Sequence, residues 1–481
     1  MSSGPALVWF RNDLRVSDNP ALDAAAATGR PIIPLYVLDQ TPGQRPLGGA
    51  QRWWLDGSLR ALADDLAKLG LTLALRRGPA AETVQEIVAA EGVQSVFWNR
   101  RYDPAGRERD KTLKADLKES GVAVESFNGA LLTEPWELKT GSGGHFQVFT
   151  PFWRSLLATA TIEAPSPVPT GPLAPARTIA SEDLNGWGLT PTKPDWAGGL
   201  RAHWKPGSAG AVALLQEFLS NGLSGYSEGR NRPDLRFTSR LSPHLQWGEI
   251  SPRQVWRAVK THCAAHPEAE QDGMAYLREL GWRDFAHVLL FHAKSLVDEP
   301  IKPEYARFPW RSSAEGLEAW RRGRTGYPIV DAGMRELWHT GWMHNRVRMI
   351  AASFLIKDLL IDWREGEKWF WDALVDACPA NNPASWQWVA GCGADAAPFF
   401  RIFNPTLQGA KFDPGGAYVR RWVPELAKLP TSAIHQPWSL DERQSRAVGF
   451  TLGRDYPKPI VDHGEARDRA LAALASIKSA A

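Results

Sequence analysis

Over the first 130 residues, short apolar runs alternate with longer stretches of helical periodicity. Ala6–Phe10, Pro31–Leu38, Leu71–Arg76, Ser95–Trp98 and Val122–Phe127 read as strands. Between them, Asn19–Thr28, Gln51–Leu69, Ala80–Glu91 and Gly106–Ser120 carry the spacing of helices. This rhythm predicts a parallel sheet covered on both faces. With right-handed crossovers it becomes a doubly wound, Rossmann-like α/β domain of five strands over residues 1–130. From 131 to 206 the chain turns to Gly, Pro, Ala, Ser and Thr, which predicts an interdomain linker. Within it only the aromatic-rich His145–Leu157 suggests order. Beyond 207 strand signals almost vanish. Ala211–Asn221, Ser251–Ala265, Asp272–Ser295, Ala314–Arg322, Pro328–His339, His344–Leu360 and Glu365–Asp376 read as helices, so an all-α domain is expected over 207–481.

Composition narrows the function classes. The 481 residues are 43% hydrophobic and 23% charged, enough to bury large cores, which excludes global disorder. The apolar run Ile350–Leu360 is broken by Lys357 and Asp358, and no stretch reaches the length of a membrane span. Three cysteines, Cys263, Cys378 and Cys392, supply neither a disulfide framework nor a four-thiolate iron–sulfur site. No leader is visible, and the cytoplasm is the expected compartment. The first strand is followed by Arg11-Asn12-Asp13-Leu14-Arg15 and not by G-x-G-x-x-G, so a dinucleotide held by the usual glycine turn is not expected there. The eleven histidines show no metal-ligand spacing. Net charge is only +3, so a nucleic-acid contact requires a local basic patch. Arg230, Arg232, Arg253, Arg346, Arg401, Lys411, Arg420 and Arg421, interleaved with aromatics, are candidates. Tryptophan numbers 23, which suits either a Trp-heavy core or a site for flat rings.

Four segments carry candidate chemistry. Glu279, Trp282, Arg283 and Ala286 share one helical face, either as the floor of a planar ligand or as a surface ion pair beside a core indole. Trp342, Asn345 and Met349 fall on another face bordered by Arg348, while Arg346 points elsewhere. A buried amide there needs a hydrogen-bond partner, and a satisfied core Asn is the commoner outcome. Thr238-Ser239-Arg240-Leu241-Ser242 suits a phosphate or a plain helix cap. Asp376 to Pro383 is a polar loop leading into Trp386-Gln387-Trp388.

Trp342–Met349, Arg324-Thr325-Gly326-Tyr327-Pro328-Ile329-Val330-Asp331-Ala332, Asn381–Trp388, Asp395-Ala396-Ala397-Pro398 and Phe400-Arg401-Ile402-Phe403-Asn404-Pro405 together resemble the photolyase/cryptochrome family. Trp9–Arg15 with Asp18-Asn19 is similar to its amino-terminal signature, and the resemblance runs over essentially the whole chain. Within the family the sequence looks like a class I cyclobutane pyrimidine dimer (CPD) DNA photolyase. The resemblance implies a U-shaped FAD, reduced and anionic when active, in the helical domain. It places Tyr226, Thr238, Ser239, Arg240, Leu241 and Ser242 around the phosphates and ribityl chain. Glu279, Arg283, Asn345, Arg348, Asp376, Cys378 and Asn382 would lie around the flavin, with Asn382 at N5. Trp282 and Trp388 would wall the lesion pocket, Glu279 and Asn345 would hydrogen-bond the flipped dimer, and Met349 would touch it. Arg230, Arg346 and Arg401 would bind DNA phosphates, and Trp386, Trp363 and Trp310 would carry electrons to the flavin.

The implied partner is UV-damaged DNA, in a monomer with neither membrane nor metal, placed in the cytoplasm and drawn to the nucleoid by DNA binding. Two departures stand out. Cys378 occupies a position where relatives carry an acid, and Ala105-Gly106 replace the Asn-Glu pair of folate-binding relatives. The folate contacts are thus absent, which leaves a deazaflavin, another antenna chromophore or none, with a deazaflavin ranked ahead of a folate. The competing readings are a cryptochrome-like photoreceptor without repair, a (6-4) photoproduct repair enzyme and a light-independent flavin oxidoreductase. Asn345 and Met349 stand where (6-4) enzymes carry histidines, and Asn382 where plant-type receptors carry an acid, so the marks favour dimer repair.

Overall fold

Five strands, β1 (Ala6–Phe10), β2 (Ile32–Asp39), β3 (Ala74–Gly78), β4 (Ser95–Asn99) and β5 (Ala123–Phe127), form one parallel sheet in the order β3-β2-β1-β4-β5. The computed structural model describes residues 4–170, 173–396 and 400–478, so the motif residues Ala397 and Pro398 lie outside it. Central β1 and β4 are buried at every position, as a sheet covered on both faces requires. The edge strands β3 and β5 are partly exposed. β3 starts later than the apolar pattern predicts. Leu71 and Leu73 are buried, but the Leu71 amide bonds to Leu66 O, so the run first closes the preceding helix and only then pairs with β2.

The crossover helices are α1 (Pro20–Ala27), α2 (Gly49–Lys68), α3 (Ala80–Glu91) and α4 (Pro104–Glu119). Asn19 caps α1 by accepting from Leu22 N at 3.2 Å, and Asp103 caps α4 by accepting from Gly106 N at 2.8 Å. Each helix has proline in its first turn, where a missing N–H costs nothing. Leu7, Leu35, Val84, Val96 and Leu113 meet in the core between sheet and helices.

Within 131–206 the chain forms a helix at Phe149–Thr159, a 3-10 turn at Leu184–Trp187 and a short helix at Gly198–His203. Leu173 N bonds to Leu69 O, Pro175 bridges Ile32, and Glu182 N bonds to Leu75 O. Beyond 207 the described elements are helices, apart from one isolated bridge between Leu452 and Tyr456. A doubly wound α/β domain followed by a helical domain is thus the fold. The predicted helix His344–Leu360 is shorter in the structure. An α-helix covers Asn345–Ser353 and a wider π turn follows at Phe354–Asp358, with Leu359 N reaching back to Phe354 O. No helix among the described residues is long and apolar enough to cross a membrane.

Packing divides the chain into two compact units. One comprises Met1–Ser224, Ser239–His292 and Val375–Cys378, the other Gly225–Thr238, Ala293–Leu374 and Pro379–Ala481.

Candidate functional site

In the first unit the helix Glu270–His292 carries Glu279, Trp282 and Arg283. Trp282 is half-buried and lies flat on Phe149, with ring centres 3.7 Å apart and planes 9° apart. Phe149 is itself fully buried and stacks on Trp153. Gly281 makes this approach feasible, since a Cβ there would lie 2.5 Å from the Trp153 ring. No periodicity marks Phe149 as the backing of this indole. Arg283 does not lie on a solvated surface. Its side chain is 13% exposed, and its guanidinium donates to Ala130 O at 2.5 Å and Leu245 O at 3.4 Å. The neighbouring Asp284 is buried and accepts from the amides of Leu132 (2.8 Å) and Thr133 (3.1 Å), while its second carboxyl oxygen is buried without a hydrogen bond, 3.9 Å from the Arg283 guanidinium. Burial, opposed by Arg283 and the two amides, pushes its pKa up to about 7.

The hydroxyl cluster sits in the same unit. Ser239 Oγ accepts from Leu241 N at 3.3 Å and from Tyr276 Oη at 3.0 Å. Arg240 adopts a left-handed backbone, φ 54°, which costs an L-residue about 1–2 kcal/mol and is a kind of strain that concentrates at ligand sites. Ser242 Oγ donates to Asp376 Oδ2 at 2.6 Å. The segment around Asp376 is fixed on both sides, by Trp247 Nε1 on Val375 O (3.1 Å) and by Gln51 Nε2 on Ala377 O (2.8 Å). Cys378 is buried at its end.

In the second unit Tyr226 is buried, Thr238 is partly buried, and the Arg230 guanidinium lies 5.5 Å over the Tyr226 ring. The helix Asn345–Ser353 is capped by His344, whose Nδ1 accepts from Arg346 N at 3.2 Å. Trp342 therefore precedes the helix and does not share a helical face with Asn345 and Met349. Asn345 is exposed, which removes the core-amide reading, and Met349 is partly exposed. Arg348 Nε donates to Met343 O at 2.7 Å. Arg346 bonds to Asn231 Oδ1 at 2.7 Å and lies 4.4 Å over Phe412, against which Lys411 packs as well. The Arg401 guanidinium lies 5.1 Å over Trp388, and the two line a small pocket with Val389, Gly391, Ala396 and Phe403.

Asn382 is almost buried. Its amide nitrogen donates to Glu367 O at 3.1 Å and to Glu367 Oε1 at 2.8 Å. Both amide hydrogens are thereby committed, and the carbonyl oxygen is the group left to meet a ligand. Trp386 packs on Gly366, where a Cβ would lie 2.1 Å from the indole. The rings against it are Trp320 at 6.1 Å and Phe370 at 5.0 Å. Trp363 is buried and Trp310 partly exposed. No motif marked Trp320.

Residues 6–172 match the family model for DNA photolyase, and residues 276–476 that for the FAD binding domain of DNA photolyase. The chain is 52% identical over 478 residues to a deoxyribodipyrimidine photo-lyase of Agrobacterium fabrum, covering 99% of each. This chain belongs to the photolyase/cryptochrome family. A class III photolyase from Agrobacterium tumefaciens superposes with a TM-score of 0.96 at 52% identity, covering 100% of this chain and 98% of that one. The likeness extends to Cryptochrome-1 of Arabidopsis thaliana, 39% identical over 99% of this chain and 71% of the relative. The expectation of class I finds no support, since the solved photolyase matched over the whole chain is of class III.

The helical region is thus a photolyase FAD-binding domain, and its donor set suits FAD. Hydroxyls and a guanidinium on a strained loop match a diphosphate, and the oriented Asn382 carbonyl matches a ring N–H. No group of His, Cys, Asp and Glu suited to a metal occurs among the described residues.

Proposed function

We propose that this photolyase splits cyclobutane pyrimidine dimers in DNA and is of the class III type. The observation that carries the reading is Trp282, half-exposed, backed flat by Phe149, and one turn from Glu279 on the same helix. A rigid indole beside a carboxyl group suits a flipped pyrimidine pair, which needs a stacking surface and a partner for its carbonyls. Lesion flipping costs a few kcal/mol, less where the pair is already damaged. Glu279 and Asn345 hydrogen-bond the dimer, Trp282 and Trp388 each offer it an indole face, and Met349 fills against it. Arg230, Arg346 and Arg401 hold phosphates, so affinity falls with salt.

FAD, when bound and reduced, supplies the photoexcited electron that cleaves the dimer. Tyr226, Thr238, Ser239, Arg240, Leu241 and Ser242 hold its phosphates and ribityl chain. Arg283, Arg348, Asp376 and Cys378 surround the ring, and Asn382 accepts from its N–H. Trp386, Trp363 and Trp310 form the photoreduction route. The antenna is a deazaflavin rather than a folate. Ala105 and Gly106 lack the Asn and Glu side chains that contact folate in folate-binding relatives.

The cryptochrome-like photoreceptor is the second reading, favoured by the 39% identity to Cryptochrome-1. Blue light on the purified, reduced protein with a thymine-dimer oligonucleotide separates the two. Light-dependent loss of the dimer is expected, and its absence with FAD bound transfers the assignment to a photoreceptor.

A further inference from the structure

We propose that Lys357 is a positioning residue for the Trp388–Arg401 face, tying together the two chain segments that carry these side chains. The inference rests on the repair reading above. Lys357 lies in the π turn after the helix Asn345–Ser353 and is 0% exposed. An aliphatic side chain would fill such a place without the several kcal/mol that burying an ammonium costs. Among the described residues no carboxylate pairs with it. What the lysine adds is two directed contacts. Its Nζ donates to Ala390 O at 2.9 Å and stands 3.0 Å from the centre of the Phe400 ring.

These two points are functionally placed. Ala390 ends the helix Asn381–Ala390, two residues after Trp388. Phe400 immediately precedes Arg401, whose guanidinium covers Trp388. Gly391 leaves room for the contact, since a Cβ there would meet Phe400 at 3.1 Å and Tyr305 Oη at 3.0 Å, and its φ of 94° suits glycine. Other bonds hold the flanks separately. Lys302 Nζ reaches Gly391 O at 3.2 Å, and Ser353 Oγ accepts from Phe403 N at 3.2 Å. Beside the packing of the Phe400 ring at Gly391, the Lys357 amine is the polar contact among these that joins the helix end to the residue before Arg401. With that tie gone, Arg401 and Trp388 would still be present but no longer held against each other.

The test compares holoenzymes carrying Lys357→Met, Phe400→Leu and Phe400→Tyr. Hydrogen exchange at Gly391–Ala396 and Arg401–Phe403 is expected to accelerate in the first two and to stay native in the tyrosine variant, which keeps the ring. Dimer-oligonucleotide binding should weaken about 30-fold in the first two, the size of a desolvated cation–π contact. FAD content and repair rate at saturating oligonucleotide should hold. Unchanged exchange and affinity in Lys357→Met would overturn the proposal. So would loss of FAD in that variant with native binding in Phe400→Leu, which marks a core role only. If the wild-type protein shows no preference for the dimer, the repair reading fails, and the exchange measurements still decide the tie.

Discussion

Replacing Trp282 by alanine isolates the stacking surface on which the repair reading rests. The indole has one face against Phe149 at 3.7 Å and is only half-buried, so the substitution removes a platform more than a core anchor. Stacking of a base on an aromatic side chain is worth about 1–3 kcal/mol, which corresponds to a loss of roughly 5- to 150-fold in dimer affinity. Phe149→Leu leaves the indole in place but without its flat support. Because aromatic pairs contribute about 0.5–1.5 kcal/mol beyond their area, it should weaken binding by no more than about tenfold. The double variant should bind no worse than Trp282→Ala, because Phe149 acts on the lesion only through the indole. The assay is dark anisotropy of a labelled dimer oligonucleotide against its undamaged counterpart, with flavin absorbance confirming equal FAD loading. Binding by Trp282→Ala within twofold of the parent would refute the platform. An equal loss on undamaged DNA would refute it too, since stacking on a flipped pair has no counterpart in an intact duplex.

Two further outcomes concern Trp310 and Asp284. Trp310→Phe should slow light-driven flavin reduction while repair by prereduced enzyme stays intact. Unchanged photoreduction removes Trp310 from the route and shifts attention to Trp320, the indole packed against Trp386. Asp284 has its pKa raised from 3.8 to about 7 by burial, so between these values the unfolded chain is ionised there while the folded one holds a proton. Its contribution to stability is full below about pH 4 and is lost as pH rises to about 7, by up to about 4 kcal/mol. Asp284→Asn keeps a carbonyl for the Leu132 and Thr133 amides, so urea unfolding should lose that slope, and a retained slope would clear Asp284.

Much of the α/β domain was legible because its signals are local. The strand Ala6–Phe10 and the helix Ala80–Glu91 fall where hydrophobic period and flanking turns place them. The signals failed where an apolar residue serves a different element from the one its neighbours suggest. Leu71 closes a helix, and Lys357 interrupts an apolar run yet sits wholly inside on a π turn. An eleven-residue window sees hydrophobicity, not hydrogen-bond register, and cannot distinguish a continuing α-helix from one that widens by a residue.

At the site, residue types were legible from motifs, while their restraints were not, because the restraining partners are remote in sequence. Ser242 fixes Asp376 from 134 positions away, and Asp284 binds amides about 150 positions earlier. Phe149, which backs Trp282, lies in the aromatic-rich His145–Leu157, where composition suggested order inside a Gly/Pro-rich connection but not what that order packs against. Such composition reports irregular backbone and is silent on packing, since proline removes a donor but still buries surface. Asn382 shows what the difference means for chemistry. Its identity alone allows the amide to present either a donor or an acceptor. Glu367 takes both hydrogens, and only then is the carbonyl the group on offer. The informative variants are therefore the backing residues as much as the named ones: Phe149 for Trp282, Glu367 for Asn382, Lys357 for Trp388. Each keeps the motif intact, so a functional loss there reports positioning and cannot be ascribed to a missing reactive group.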